Sequence, residues 1–386
     1  MRRLLVAFPQ WAHDPASGAA RSTRLIGEWL AAAGWDVRCV TAAFSESRRW
    51  LTSADVGAWR GERLAEEPGG WVKFQARGVA HRLLTSARSG QAKLDAGAAA
   101  ELARGVRRAL EAFRPEVFLT YGDDAWWREL RVMAARRGAK VVYAVHNAAH
   151  VPTVFAGVTA VLAPTEWLAE HYARQGVAGV TAILPPVDPG ETVAEDGERV
   201  FTTLVNPSPE KGRAVFIGIA QALAARGAEV PLLVIEGRGG SGELVVAAER
   251  VGVDLRAMRN VMVAPAVAEP REFLRVTRTL IVPSLHEAAG RVVAEAQLNG
   301  IPCVVSDRGG LPEMCGGGGR VIALPAEVTL ETERVSEVSE WVNEIERLAA
   351  DEAYYATAAA AARRSGERFA REALLPRYAA WFAGLG

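Results

Sequence analysis

Val282-Pro-Ser-Leu-His-Glu-Ala-Ala-Gly-Arg-Val-Val-Ala-Glu-Ala-Gln-Leu-Asn-Gly-Ile-Pro302 is the stretch that decides the fold. A β-branched run ends at Val282, a turn follows, and helical spacing begins near Ala289 or Gly290. A strand that hands directly to a helix is the repeating unit of a parallel sheet. The start of such a helix exposes unpaired N–H groups and the positive end of its dipole, which suits a phosphate. The amides near Ala289 and Gly290 are the candidate donors. Gly290 permits close backbone approach, and Arg291 adds a formal charge able to pair with phosphate oxygens. Glu287 precedes the helix, and Glu295 lies about one turn inside it. Helical side chains lean toward the N-terminus, so Glu295 is expected to point back into the same crevice. A carboxylate accepts two hydrogen bonds from neighbouring hydroxyls, which fits a ribose diol at Glu295 and a second polyol at Glu287. The plainer alternative is a solvated helix with two ordinary glutamates.

Outward from this stretch, short β-branched runs alternate with helical stretches over the whole chain. Strands are expected at 4–8, 37–41, 117–120, 141–145, 158–163 and 180–184. Helices are expected at 17–33, 98–113, 126–137 and 166–175. Asp14 and Ser17 are candidate N-caps of the first helix, and Gly34 stops it. Pro185-Pro-Val-Asp-Pro-Gly190 and the polar run after it interrupt the rhythm and read as a linker. The pattern then restarts, with strands at 200–205, 232–236, 261–264, 279–282, 303–306 and 320–324. After about Glu331 the chain reads as almost wholly helical. In the last helix Phe369, Leu374, Leu375, Tyr378 and Trp381 share one apolar face, and Pro376 is expected to kink or split it. The fold class is therefore α/β, with two Rossmann-like doubly wound domains: 1–186, a linker at 187–198, and 199–366, with the helix 367–386 packing back on the first domain.

Composition narrows the function. The chain has 386 residues, enough for two cores, and Lys+Arg equal Asp+Glu at 45 each, so no global field draws it to nucleic acid. Three cysteines without a CxxC pair argue against a disulfide framework or zinc site and fit a reducing, cytoplasmic setting. The apolar run at the N-terminus is too short for a signal peptide, and 141–165 is broken by His146, Asn147, His150 and Pro152, so no membrane span is expected. Two segments fit no pattern. Residues 45–72 carry Trp50, Trp59 and Trp71 in polar surroundings, and 77–93 carry Arg77, His81, Arg82, Arg88 and Lys93. Both read as a solvated loop or helix, with a contact to an acceptor or a weak peripheral contact to a membrane surface as the lesser reading.

The stretch 282–302, continued through Cys303-Val-Val-Ser-Asp-Arg-Gly-Gly-Leu-Pro-Glu313, resembles the signature of family-4 retaining glycosyltransferases of the GT-B fold. Glu287, Gly290, Glu295, Gly309, Gly310, Pro312 and Glu313 match its paired glutamates, its Glu-x-x-Gly turn and its Gly-Gly-x-Pro-Glu loop. The resemblance implies that Glu287 contacts the transferred sugar and Glu295 the ribose of a nucleoside-diphosphate sugar. In Val205-Asn-Pro-Ser-Pro-Glu-Lys-Gly212, Lys211 and Gly212 match the Lys-Gly that grips the diphosphate. Asn206 stands where the family has arginine, and Arg213 is placed to supply that charge. His146 resembles a histidine near the reaction centre, and Gly18 the glycine of a loop that approaches the donor phosphates, although Ala19 and Ala20 follow it. The resemblance also implies an N-terminal acceptor domain and a C-terminal donor domain closing over a cleft. It implies retention without metal or cofactor, and a small-molecule, glycan or lipid-linked acceptor.

Three rivals remain. Gly237-Arg-Gly-Gly-Ser-Gly242 fits the G-x-G-x-x-G of a dinucleotide-binding oxidoreductase, but it opens the second strand–helix unit after the linker, with no acidic residue clearly placed after it. A sugar-nucleotide epimerase or hydrolase would share the fold. A non-catalytic sugar-nucleotide binder is consistent with Asn206 and with Ala288-Ala289 in the turn. Asp123-Asp124 is not a DxD metal motif and is expected to cap the following helix.

Overall fold

The computed structural model describes residues 1–46, 49–88, 90–91 and 94–385. The chain forms two compact units: Met1–Pro186 together with Leu374–Gly386, and Val187–Ala373.

In the first unit the strands are β1 (Arg3–Phe8), β2 (Asp36–Ala42), β3 (Arg49–Trp50), β4 (Glu66–Glu67), β5 (Trp71–Ala76) and β6 (Val79–Leu84). They continue with β7 (Gly90–Gln91), β8 (Val117–Thr120), β9 (Lys140–Ala144), β10 (Ala160–Ala163) and β11 (Val180–Ala182). Nine of them make one sheet in the order β11-β10-β9-β8-β1-β2-β6-β5-β4, while β3 and β7 pair separately. From β11 to β6 every pairing is parallel. Helices cover both faces of such a sheet, which is why β1 and β8 are continuous apolar runs without alternation. Ser17 N-caps the first helix, Gly18–Ala32, accepting from the Ala20 amide, whereas Asp14 instead accepts from the Ala16 amide at 3.0 Å.

Residues 45–72 hold the expected helix, Ser53–Arg60, with Trp59 exposed, between the short strands β3 and β4, whereas the described residues of 77–93 depart from the expected solvated loop or helix. β5 and β6 form an antiparallel hairpin added to the parallel sheet. Its two turn residues, Arg77 and Gly78, have φ of 47° and 80°, the left-handed pair that matches the twist of a tight hairpin. An arginine in that position carries no turn signal, so the hairpin was hidden. Trp50 and Trp71 are core residues: the Trp71 indole N–H donates to Glu101 at 2.7 Å, and the Arg82 guanidinium lies 4.4 Å from its ring. Lys93 lies outside the described residues.

The second unit holds β12 (Phe201–Val205), β13 (Leu232–Ile235), β14 (Val261–Ala264), β15 (Thr277–Val282), β16 (Cys303–Ser306) and β17 (Gly319–Ile322). They form an all-parallel sheet in the order β14-β13-β12-β15-β16-β17. Leu204, Val234, Ile281 and Val304 from its central strands pack with Val215, Phe216 and Ile219 of the helix Arg213–Ala225.

Regular helix resumes at Ser339, later than the expected 331, as the helices Ser339–Ala350 and Glu352–Gly366. The final helix, Arg371–Gly384, runs unbroken through Pro376. Pro376 is exposed, so water can satisfy the Glu372 carbonyl that a proline cannot serve. Leu374, Tyr378 and Phe382, spaced by four, are the buried face, while Leu375 and Trp381 are half-buried. The Tyr378 hydroxyl donates to the Leu184 carbonyl at 2.8 Å, and the Phe382 ring meets Trp35 edge-on, which docks this helix on the first unit.

Candidate active site

In an open parallel sheet, ligands bind beyond the carboxyl ends of the strands where the strand order reverses, because the loops there diverge to opposite faces. In the second unit that point lies between β12 and β15. The loops that follow these two strands carry Lys211 and Glu287. The 3₁₀ turn Pro209–Lys211 ends in Lys211, whose Nζ forms an ion pair with Glu287 Oε2. Their side chains are 24% and 13% exposed. The loops are also tied through their backbones, Leu285 N–H donating to the Glu210 carbonyl at 2.8 Å. Gly212, at φ 83°, is required by this approach, since a Cβ there would lie 2.1 Å from the Pro283 carbonyl oxygen.

The Gly-Gly-x-Pro-Glu loop has a comparable task. Gly310 N–H donates to the Glu287 carbonyl at 2.9 Å. A Cβ on Gly309, at φ 64°, would stand 1.9 Å from that same oxygen. The loop thus fixes the backbone of Glu287. The helix Arg291–Leu298 begins just after the expected start, with Gly290 at its N-cap and Ala289 buried before it. Arg291 Nε donates to Glu295 Oε1 at 2.9 Å, and Glu295 is only 4% exposed. The structure therefore couples two residues that the sequence reading had given separate tasks. Their four-residue spacing was the available signal.

Asn206 has a backbone task. It sits at φ 62°, and its Oδ1 accepts from the Gly239 amide at 2.8 Å, pinning the Gly237–Gly242 loop. A Cβ on Gly237 would come within 2.7 Å of Asn206 Cβ, so the glycines serve loop packing. Glu236, which the sequence reading missed, accepts from the Ser241 amide at 2.7 Å and from its hydroxyl; the hydroxyl is the main cause that holds its carboxyl below the usual range. Its signal was an acid at a strand end five residues before a serine. Arg213 opens the helix Arg213–Ala225, half-buried. The Glu210 carboxyl is held below its usual range first by its own amide, and further by the Ser208 side chain and the cations of Arg238 and Lys211.

In the first unit the order reverses between β1 and β8. His146 follows β9, with Nε2 3.1 Å from Thr23 Oγ1 and the Tyr121 ring set edge-on at 5.3 Å. Gly18 opens the helix that carries Thr23. Tyr121 donates to Gln10 Oε1 at 2.7 Å, and burial pushes its phenol well above the usual range. Thr23 and Tyr121 were not foreseen, because nothing in their local spacing marks them. Asp124 stands at the N-cap of the helix Ala125–Arg136 but makes no capping bond, contrary to expectation, and Asp123 Oδ2 lies 3.7 Å from His150. Among the described residues, no three His, Cys, Asp or Glu side chains gather as a metal site, and no helix is long and apolar enough to cross a membrane.

Residues 198–351 match the family described as Glycosyl transferases group 1. No curated protein matches the chain in sequence. Among solved structures, the chain resembles sucrose-phosphate synthase from Thermosynechococcus elongatus, with a TM-score of 0.68 at 15% identity, covering 100% of this chain and 99% of that one. HepE from Anabaena, in complex with UDP and glucose, gives 0.67 at 16% identity, covering 98% of this chain and 99% of its own. A mutant of TarM of S. aureus, in complex with Fondaparinux, alpha-GlcNAc-glycerol and UDP, gives 0.69 at 12% identity over the whole of both chains. At such identities the likeness carries the fold alone, and the family match lies within the second unit. Residues 198–351 are thus similar to the glycosyl transferases of group 1, within a chain that has the GT-B fold.

Proposed function

We propose that the protein moves a sugar from a nucleoside-diphosphate sugar to a glycan hydroxyl, with retention at the anomeric carbon and without a metal ion. The observation that carries this reading is the Lys211–Glu287 pair, held across the reversal point by Gly212 and Gly309 beside a fresh helix N-terminus. Phosphate oxygens compete with Glu287 for the Lys211 ammonium, and the released carboxylate then accepts hydrogen bonds from hydroxyls of the transferred sugar. Lys211, Arg213 and the amides around Ala289 and Gly290 stabilise the charge that gathers on the leaving diphosphate. Glu295, oriented by Arg291, takes the ribose hydroxyls. The anomeric carbon–phosphate oxygen bond breaks with its electron pair going to the diphosphate. The acceptor oxygen then bonds to the same face of the anomeric carbon, and its proton passes to a phosphate oxygen. His146, steadied by Thr23, binds a hydroxyl of sugar or acceptor. The group 1 match supports sugar transfer, and structurally similar HepE is solved with UDP and glucose.

The test is incubation with UDP-, GDP- and ADP-sugars and glycan acceptors in excess EDTA, with the product anomer read by NMR. A retained anomer, formed only with acceptor present, is the expected result. An inverted product removes the retaining mechanism, and loss of activity in EDTA removes metal independence. Turnover without acceptor points to an epimerase or hydrolase, and no product from any donor overturns transfer altogether.

A further inference from the structure

The first unit contains a second cluster of polar groups that the proposed mechanism leaves unused. Trp11 and His13 lie on the loop after β1, and Phe74 and His81 face each other across the β5–β6 hairpin. The Phe74 and His81 rings stack at 4.7 Å, the His13 and His81 rings are 5.2 Å apart, and Trp59 lies 4.4 Å from His13 and 5.3 Å from Trp11. Trp11 Nε1, His13 Nε2 and His81 Nε2 are all buried, and among the described residues none has a hydrogen-bond partner. Three such atoms in one aromatic cluster are unusual, because buried polar groups are almost always paired with protein, water or ligand.

The protonation of two of them is fixed. An arginine can only donate, so Arg24 Nη1, 3.0 Å from His13 Nδ1, makes that nitrogen the acceptor. The proton of the neutral ring is then on Nε2. Burial, with Arg24, His81, Arg77 and Arg60 nearby, keeps the ring neutral by lowering its pKa well below the ordinary value. The cluster therefore offers two inward N–H donors, from Trp11 and His13. The charged groups that act on the two histidines are the guanidiniums of Arg24, Arg60 and Arg77; Glu28 pairs with Arg24 and Arg77, and Glu62 with Arg60. Cationic neighbours disfavour a metal cation and favour an oxyanion. Trp59 is 44% exposed, and an aromatic ring can pack on the C–H side of a sugar ring.

We infer that Trp11, His13 and His81, roofed by Trp59, form a binding site for a saccharide that carries a carboxylate or phosphate group. Entry requires the Trp59 ring to swing outward, which its place near the end of the short helix Ser53–Arg60 permits. Naming this ligand the acceptor rests on the transferase reading; the binding itself does not.

The experiment uses the full chain in thermal-shift and calorimetric titrations with methyl glucuronide, glucose 6-phosphate and neutral methyl glucoside. UDP is titrated in parallel. At about tenfold over Kd, the acidic sugars should raise the melting temperature by about 2–4 °C, and the neutral glucoside should bind at least about tenfold more weakly. His81→Phe, which keeps the stack on Phe74 but removes the nitrogen, and Trp59→Ala should each weaken acidic-sugar binding about tenfold or more while leaving UDP binding unchanged. The inference is overturned if acidic and neutral sugars bind alike, if neither binds, or if both variants bind as wild type. Should His81→Phe fail to fold, the surface change Trp59→Ala decides alone. Acidic-sugar binding without UDP binding would keep this site and sink the transferase reading; the reverse would do the opposite.

Discussion

Lys211 and Glu287, 76 residues apart in sequence, form an ion pair across the reversal point of the second sheet. Each closes a loop that follows a central strand, so each is positioned by the sheet rather than by its neighbours. If Lys211 meets charge that builds on the leaving phosphate, Lys211→Met should lower kcat by about 10²–10³ while changing donor Kd by much less. Equal losses in both, or wild-type kinetics, would remove Lys211 from that role.

Glu295 and Arg291 are nearly buried as a pair. Removing one partner takes the ion pair from a nearly buried charge, so Glu295→Ala should cost about 3 kcal/mol of stability and weaken nucleotide binding. Glu295→Gln keeps the shape and an acceptor oxygen. It should retain more stability than alanine yet still bind UDP about tenfold more weakly. A melting curve and a UDP titration on both variants separate the packing role from the binding role.

Gly309→Ala should be among the most harmful single-methyl changes in the chain. The new Cβ meets the Glu287 carbonyl oxygen at 1.9 Å, and φ of 64° is itself strained for alanine. A loss of more than about 2 kcal/mol in chemical denaturation is expected, with activity falling as the Glu287 backbone moves. Gly317→Ala is the control: a Cβ there meets nothing within 4 Å, so near wild-type stability is expected.

Stability should fall as the pH drops below the ordinary histidine value. Burial lowers the His81 pKa from 6.5 to about 3, so between these values the unfolded chain binds a proton that the folded chain refuses. His13 acts in the same direction. His81's contribution is thus absent above 6.5 and grows unfavourable as pH falls toward 3. His81→Phe should flatten the acid limb of a urea-denaturation profile. An unchanged slope between pH 6.5 and 4 would show that His81 is not buried in its neutral form.

Asn206→Ala removes the acceptor for the Gly239 amide and leaves alanine at a left-handed φ. A loss of about 1–2 kcal/mol is expected, with faster proteolysis in the loop 237–242. Asn206→Gly, which relieves the backbone strain, should recover part of the stability and none of the loop protection.

By itself the sequence determined the alternation of strand and helix, the parallel core of both sheets, and the glycine-bearing turn between Val282 and Arg291. Those features are local: burial on both faces writes continuous apolar runs, and a strand-to-helix turn writes its glycine. The β5–β6 hairpin was not legible, because Arg77 occupies a left-handed position that favours glycine or asparagine, and His81 and Arg82 mask the alternation. Trp71 looked like a surface residue because its burial depends on Arg82 and Glu101, neither of them adjacent in the chain. Only the tertiary structure decided that Lys211 pairs with Glu287, that Asn206 holds the Gly239 loop, and that Trp11, His13 and His81 share one cluster. The order in which strands assemble sets those distances, and hydrophobic periodicity specifies which face of a strand is buried but not which strand lies beside it.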